Sequence, residues 1–214
     1  MIDNIYVFDD IIEKPYQELI KETLLGGDKP PSVGEPDQDF AWYYTSDITD
    51  ADHDGPFQGR FGFGHEYVNP EEGIICKFHS LFFGLIKNSC KKLKIKKIDI
   101  LQGRSFLSTP TNIPREDVDT PHYDMDSPHF VMLYYVNDSD GDTIIYNEKT
   151  IFNDCSPEEM NFTIKKKVSP KQGRVVLFDG RHWHTAQQPN HNVRCIVNYD
   201  LRDLSHVTPG GVRI

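Results

Sequence analysis

The chain has 214 residues, 23 of them Lys or Arg and 33 Asp or Glu, for a formal charge of −10. That length suits a single domain whose core removes roughly 70 % of the extended chain's surface from water. The acidic balance repels phosphate backbones and argues against a nucleic-acid partner. No apolar run reaches the ~20 residues of a membrane helix, and the opening Met1-Ile2-Asp3-Asn4 lacks the pattern of a secretory signal. Four cysteines, Cys76, Cys90, Cys155 and Cys195, show no CxxC or zinc spacing. Reduced thiols in the cytoplasm are therefore expected.

In chain order, Ile5 to Phe8 reads as a short strand and Pro15 to Leu25 as a helix, with Leu19, Ile20, Thr23 and Leu24 as its stripe and Gly26-Gly27 as its stop. Residues 28–39 are a Pro-, Gly- and Asp-rich loop. Phe40 to Tyr44 has a strand's aromatic content. Asp47 to Gly64 reads as a second loop, a candidate lid. Ile74 to Lys92 carries Phe78, Leu81, Phe82, Leu85 and Ile86 at helical spacing. The lysines from Lys87 to Lys97 read as its solvated end. Strands are then predicted over Ile98–Phe106, Phe130–Asn137, Thr143–Tyr146, Thr163–Lys166, Arg174–Phe178 and Arg194–Tyr199, separated by turn residues. Helices first and short antiparallel strands after predict an α+β sandwich or barrel, with residues 1–94 supporting a core over 95–201.

The chemistry concentrates in three places. His122-Tyr123-Asp124 sets imidazole and carboxylate at i and i+2, on one side of an extended chain. Sixty residues after Asp124, at the end of the apolar strand Val175-Val176-Leu177-Phe178, comes Arg181-His182-Trp183-His184. Two histidines and a carboxylate leave open coordination positions, as a catalytic non-haem Fe(II) site requires. Strand parity does not choose between His182 and His184. Arg194 stands ten residues after His184, at the head of a strand that is otherwise apolar. A buried cation there needs an anion, either a bound carboxylate or one of the chain's own acidic side chains.

This ordered set, HxD, a Tyr-Tyr strand, a distal His and an Arg ten residues on, resembles the 2-oxoglutarate- and Fe(II)-dependent dioxygenases. The pattern is most similar to the prolyl 4-hydroxylase branch and to small phage-encoded oxygenases of that type. The resemblance covers residues ~95–201 and implies a double-stranded β-helix, or jelly roll, with N-terminal helices packed on one sheet. It implies iron ligation by His122, Asp124 and His184, with 2-oxoglutarate held by Arg194 and the Tyr135 hydroxyl. It also implies O₂ as co-substrate, with stimulation by ascorbate. Its spacing, and the small-residue exit Thr185-Ala186-Gln187-Gln188-Pro189, favour His184 over His182. Asp140-Gly141-Asp142-Thr143 departs from the family turn by Asp142 in place of Glu, so Asp142 receives no role.

Parity places Arg194, Ile196 and Asn198 on one face of their strand, and Val131, Leu133 and Tyr135 on one face of theirs. Gln102 and Arg104, reckoned on the same face as Ile98 and Ile100, are candidate pocket residues. Trp42, Tyr43, His65, His182 and Trp183 are candidates for the rim. The substrate class is a peptidyl proline, a free amino acid or another small metabolite. A cupin-like metalloenzyme without 2-oxoglutarate is a rival, but it leaves Arg194 and Tyr135 idle. A jelly-roll binding protein without turnover is the non-enzymatic rival.

Overall fold

The computed structural model describes residues 4–26, 40–49, 60–111, 118–151, 157 and 160–205. The loop expected over 28–39 lies outside these residues, as does most of the candidate lid.

Strand β1 (Tyr6–Phe8) leads into helix α1 (Lys14–Leu25), which starts with Pro15 in its first turn and stops at Gly26, φ 78°. Short β2 (Tyr43–Thr45), β3 (Gly62–Asn69) and β4 (Gly73–Ile74) follow, then a 3₁₀ segment (Lys77–Phe82) running into α2 (Phe83–Lys92). The remaining strands are β5 (Ile98–Ser108), β6 (Phe130–Tyr135), β7 (Thr143–Lys149), β8 (Ile164–Val168), β9 (Val175–Asp179), β10 (His182–Ala186) and β11 (Arg194–Asp203).

Among the described residues, the large antiparallel sheet runs β1-β9-β6-β11-β5-β3-β2, with β4 on β3, and the small sheet runs β10-β7-β8. Residues 118–122 extend the small sheet through bridges from Val118 to Gln187 and from His122 to His184. Two facing sheets with helices on the outer side of the larger form the expected α+β jelly roll.

Alternation along the strands divides the interior. Met132, Tyr134, Leu177, Val197, Tyr199 and Leu201 face Ile20, Leu24, Phe82, Leu85 and Ile86 of the helical layer. Val131, Leu133, Tyr135, Val176, Phe178 and Ile196 face Ile145 and Val168 of the small sheet. The second set forms the floor beneath the site.

The structure corrects several expectations. The predicted helix over Ile74–Lys92 is α-helical only from Phe83, because its first part completes a hairpin and then a 3₁₀ segment. Strand β3 was hidden inside and beyond an expected loop, since its glycines at 62 and 64 read as turn residues. Strand β10 was not expected either. Ile98 and Ile100 do not share a face with Gln102. The β5–β11 register shifts between Asp200 and Leu201, so that Gln102 and Ile100 oppose consecutive residues. An extra residue of this kind reverses strand parity. Ile98 and Ile100 therefore pack on the helical side, while Gln102 and Arg104 turn to the cavity.

Candidate metal centre and its cavity

His122 and His184 oppose each other across an antiparallel bridge closed by both backbone hydrogen bonds, 3.0 and 2.9 Å. Directly opposed residues project to one face, so their rings approach to 4.6 Å between centroids. Asp124, two residues on from His122, returns to the same side. Its Oδ2 lies 3.5 Å from His184 Nε2 and its Oδ1 lies 4.0 Å from His122 Nε2. One ligand atom from each of the three falls within 4.8 Å of the others.

Both imidazoles are oriented from behind. His122 Nδ1 donates to Thr120 O at 3.0 Å, and His184 Nδ1 donates to His182 O at 3.1 Å. A carbonyl only accepts, so Nδ1 carries a proton and Nε2 is the ring nitrogen each histidine turns inward, as a metal ligand must. Burial, with His184 beside it, pushes His122 down to about 4, so it stays neutral at neutral pH. Burial works against ionisation of Asp124, but His184, Arg104 and His122 hold it well below the usual carboxylate range. A neutral imidazole at His122 and an ionised carboxylate at Asp124 suit a divalent transition metal.

A cavity of about 790 Å³ opens over this cluster. Arg194, 4 % exposed, stands in its wall, where Nε donates to Gly141 O (3.0 Å) and Nη2 to Thr143 Oγ1 (2.8 Å). A Cβ on Gly141 would clash with Gln187 O and crowd Arg194 Cδ at 3.1 Å, so the close approach of the Gln187 backbone and the Arg194 side chain depends on glycine there. Among the described residues, Arg194 has no carboxylate within ion-pair distance. Tyr135 is fully buried below it, and its hydroxyl donates to Thr143 Oγ1 (2.7 Å) rather than reaching the cavity. The structure thus links Tyr135 to Arg194 through Thr143.

The other predicted residues separate. Gln102, Arg104, Tyr43 and His65 line the cavity. Arg104 Nη2 binds Asp124 Oδ1 at 3.2 Å and lies 3.5 Å from Asp200 Oδ2. His182 does not join the site. The register shifts between it and His184, and its ring lies on Tyr146 O (2.7 Å) and Lys165 Nζ (3.2 Å). Trp183 packs on the outer face of the small sheet against Tyr123 and Phe162. Trp42 belongs to the helical side, bonded to Leu24 O at 2.8 Å.

The sequence reading missed Asp119, Thr143, His129 and Asp200. Asp200 continues the alternation of Arg194, Ile196 and Asn198 and could have been found that way. Burial, together with the Asp124 charge, pushes it well above the usual carboxylate range. Asp119 lines the cavity and accepts from Gln188 Nε2 at 2.8 and 2.9 Å. No local pattern announces it.

No protein-family model and no curated protein matches the sequence. Solved structures do match. A viral collagen prolyl hydroxylase from Paramecium bursaria Chlorella virus-1, in its 2-oxoglutarate complex, aligns at TM-score 0.53 and 12 % identity, over 92 % of this chain and 95 % of that one. A Trichoplax adhaerens prolyl hydroxylase, in complex with a hypoxia-inducible-factor peptide fragment, aligns at 0.56 and 12 %, over 93 % and 83 %. SnoN, a non-haem α-ketoglutarate-dependent epimerase from nogalamycin biosynthesis, aligns at 0.57 and 10 %, over 99 % and 85 %. The fold is that of the 2-oxoglutarate- and Fe(II)-dependent oxygenases. At these identities the likeness is one of fold, and the chemistry must come from this chain's own residues.

Proposed function

We propose that this protein is a non-haem Fe(II)- and 2-oxoglutarate-dependent oxygenase that hydroxylates an unactivated C–H bond, with a peptidyl proline as the first candidate substrate. The observation that carries the reading is Arg194, a buried cation with no carboxylate within ion-pair distance among the described residues, in the same cavity as an inward-facing His-Asp-His set. A buried charge without a counter-charge in contact is costly, and a dicarboxylate bound between metal and arginine would supply one. A metalloenzyme without 2-oxoglutarate leaves that cost unexplained.

In this reading His122, Asp124 and His184 would hold Fe(II), and the bound metal would supply the chemistry by which O₂ oxidises 2-oxoglutarate to succinate. Arg194 binds the far carboxylate of 2-oxoglutarate. Thr143 accepts from both Tyr135 and Arg194, which leaves its own hydroxyl proton for the same carboxylate. Arg104 and Asn198, 3.2 and 3.5 Å from the Asp124 oxygens, fix that carboxylate's orientation. Leu133, Phe106 and Ile196 give the cavity its apolar wall. The exposed rings of Tyr43 and Tyr44 border it and offer a surface for a peptide. Likeness to two prolyl hydroxylases supports the peptide. A small metabolite is the second reading, favoured by the likeness to SnoN.

The test is succinate formation by the full chain with Fe(II), ascorbate, 2-oxoglutarate and O₂, against proline-rich peptides and free amino acids. Stimulation by a peptide and hydroxyproline in the product support the reading. Stimulation by an amino acid alone selects the second. No succinate under any condition from iron-loaded protein would point to a binding protein.

A further inference from the structure

A second chemically matched pair lies beside the cavity. The β3–β4 hairpin is registered with Val68 on Ile74 and continued by Ile75 N–H donating to Tyr67 O at 3.0 Å, and it carries Cys76 back toward His65. Cys76 Sγ stands 3.1 Å from His65 Nε2. On the other side of the ring, Nδ1 stands 2.5 Å from Ala41 O.

The carbonyl decides the protonation pattern. It can only accept, so Nδ1 carries a proton and donates. Nε2 then either accepts the thiol proton or, having taken it, donates back to a thiolate. Both states are the arrangement of nucleophile, base and orienting group that activates a cysteine. The ring is held in place: Phe40 stacks on it at 4.3 Å, Tyr67 lies at 5.0 Å and Phe78 meets it edge-on at 6.2 Å. His65 is only 9 % exposed, whereas Cys76 is partly open to solvent. Cys90 and Cys195 are the opposite kind of thiol. Both are buried, and burial pushes Cys90 up to about 11 and Cys195 higher still. Such thiols are inert.

We propose that Cys76 is a peroxide-reactive thiol with His65 as its base, a modification site behind the stretch of cavity wall that His65 lines and separate from the metal centre. The sulfur attacks one oxygen of a hydroperoxide, an S–O bond forms and the O–O bond breaks. The departing oxygen takes the proton held at His65 Nε2 and leaves as water or alcohol. Sulfur loses two electrons to give a sulfenic acid, which a thiol can reduce. His65 lines the cavity beside Gly64 and Glu66, so an oxygen added at Cys76 alters the hydrogen bond that holds one wall. The inference does not depend on which metal or co-substrate the cavity takes.

The experiment uses the full chain, kept iron-free by a chelator, treated with hydrogen peroxide and a sulfenic-acid trap, with each cysteine followed by peptide mass mapping. Cys76 in the folded protein should be trapped about tenfold faster than Cys76 in the urea-unfolded chain. Shielding alone would make the folded thiol slower, so equal or slower trapping overturns the proposal. His65→Gln, which removes the base, should slow folded Cys76 by about tenfold, while Cys90 and Cys195 stay slow and certify the fold. An unchanged rate in a folded His65→Gln protein overturns it equally. Should that variant unfold, seen as fast trapping at Cys90 and Cys195, the wild-type comparison decides.

Discussion

Strand β11 has two buried faces of opposite character. Cys195, Val197, Tyr199 and Leu201 pack into the apolar layer beneath the helices. Arg194, Ile196 and Asn198 turn to the cavity, with Asp200 behind Asp124. All eight are at most 6 % exposed. Burial is equal and polarity is not. Hydrophobic transfer accounts for the first face and opposes the second, where charged groups have left water. A sheet face that keeps an arginine and an aspartic acid buried is what the proposed ligand binding would explain.

Substitutions on the two faces should therefore separate binding from stability. The largest effect belongs to the ligand set. Asp124→Ala and His184→Ala should each weaken Mn(II) or Fe(II) binding by roughly a hundredfold or more, since even groups behind the ligands are worth 10–100-fold. His182→Ala should leave it near wild type. Calorimetric metal titration checks all three, and a reversed order of the two histidines would move the site.

Next comes Arg194→Ala, which should weaken 2-oxoglutarate binding to Mn(II)-loaded protein by about tenfold or more, from a loss of roughly 2–5 kcal/mol. Metal affinity should stay unchanged. On the opposite face, Leu201→Ala should destabilise the fold by about 2–5 kcal/mol through a cavity. Urea melts measure that loss, and metal affinity in the folded variant should match wild type. A metal defect in Leu201→Ala, or a large stability loss with intact binding in Arg194→Ala, would break the contrast.

The smallest effect concerns Asp119. Burial holds its proton up to about pH 6, although Gln188 and Arg194 pull the other way, while an unfolded aspartic acid titrates near ~3.9. The folded state therefore binds more protons between those values, so stability falls as pH rises through that window and levels above it. Asp119→Asn should remove this slope, a difference of about 2 kcal/mol between urea melts at pH 4 and pH 7. A wild-type slope of the opposite sign would contradict the assignment.

How far the sequence was legible follows the same division. Strands with continuous β-branched or aromatic runs, such as β6 and β9, announce themselves. Strand β3 does not, because two glycines and a register shift between Glu66 and Val68 break its alternation. That His122 and Asp124 share a face was readable because HxD needs only period-two geometry. His184 against His182 was not decided by parity, because the register shift that separates them is a property of pairing with β7. Tyr135 was read as touching the co-substrate. The structure instead spends its hydroxyl on Thr143 and Val168 O, long-range contacts that strand parity does not specify.

The central claim is that one cavity holds a metal at His122, Asp124 and His184 and a 2-oxoglutarate between that metal and Arg194. Its most direct test is calorimetric titration of 2-oxoglutarate into wild-type protein with and without Mn(II), under anaerobic conditions, alongside Asp124→Ala. The account predicts saturable 2-oxoglutarate binding that requires the metal and is lost in Asp124→Ala. Equal affinity with and without Mn(II), or unchanged binding in Asp124→Ala, would contradict it.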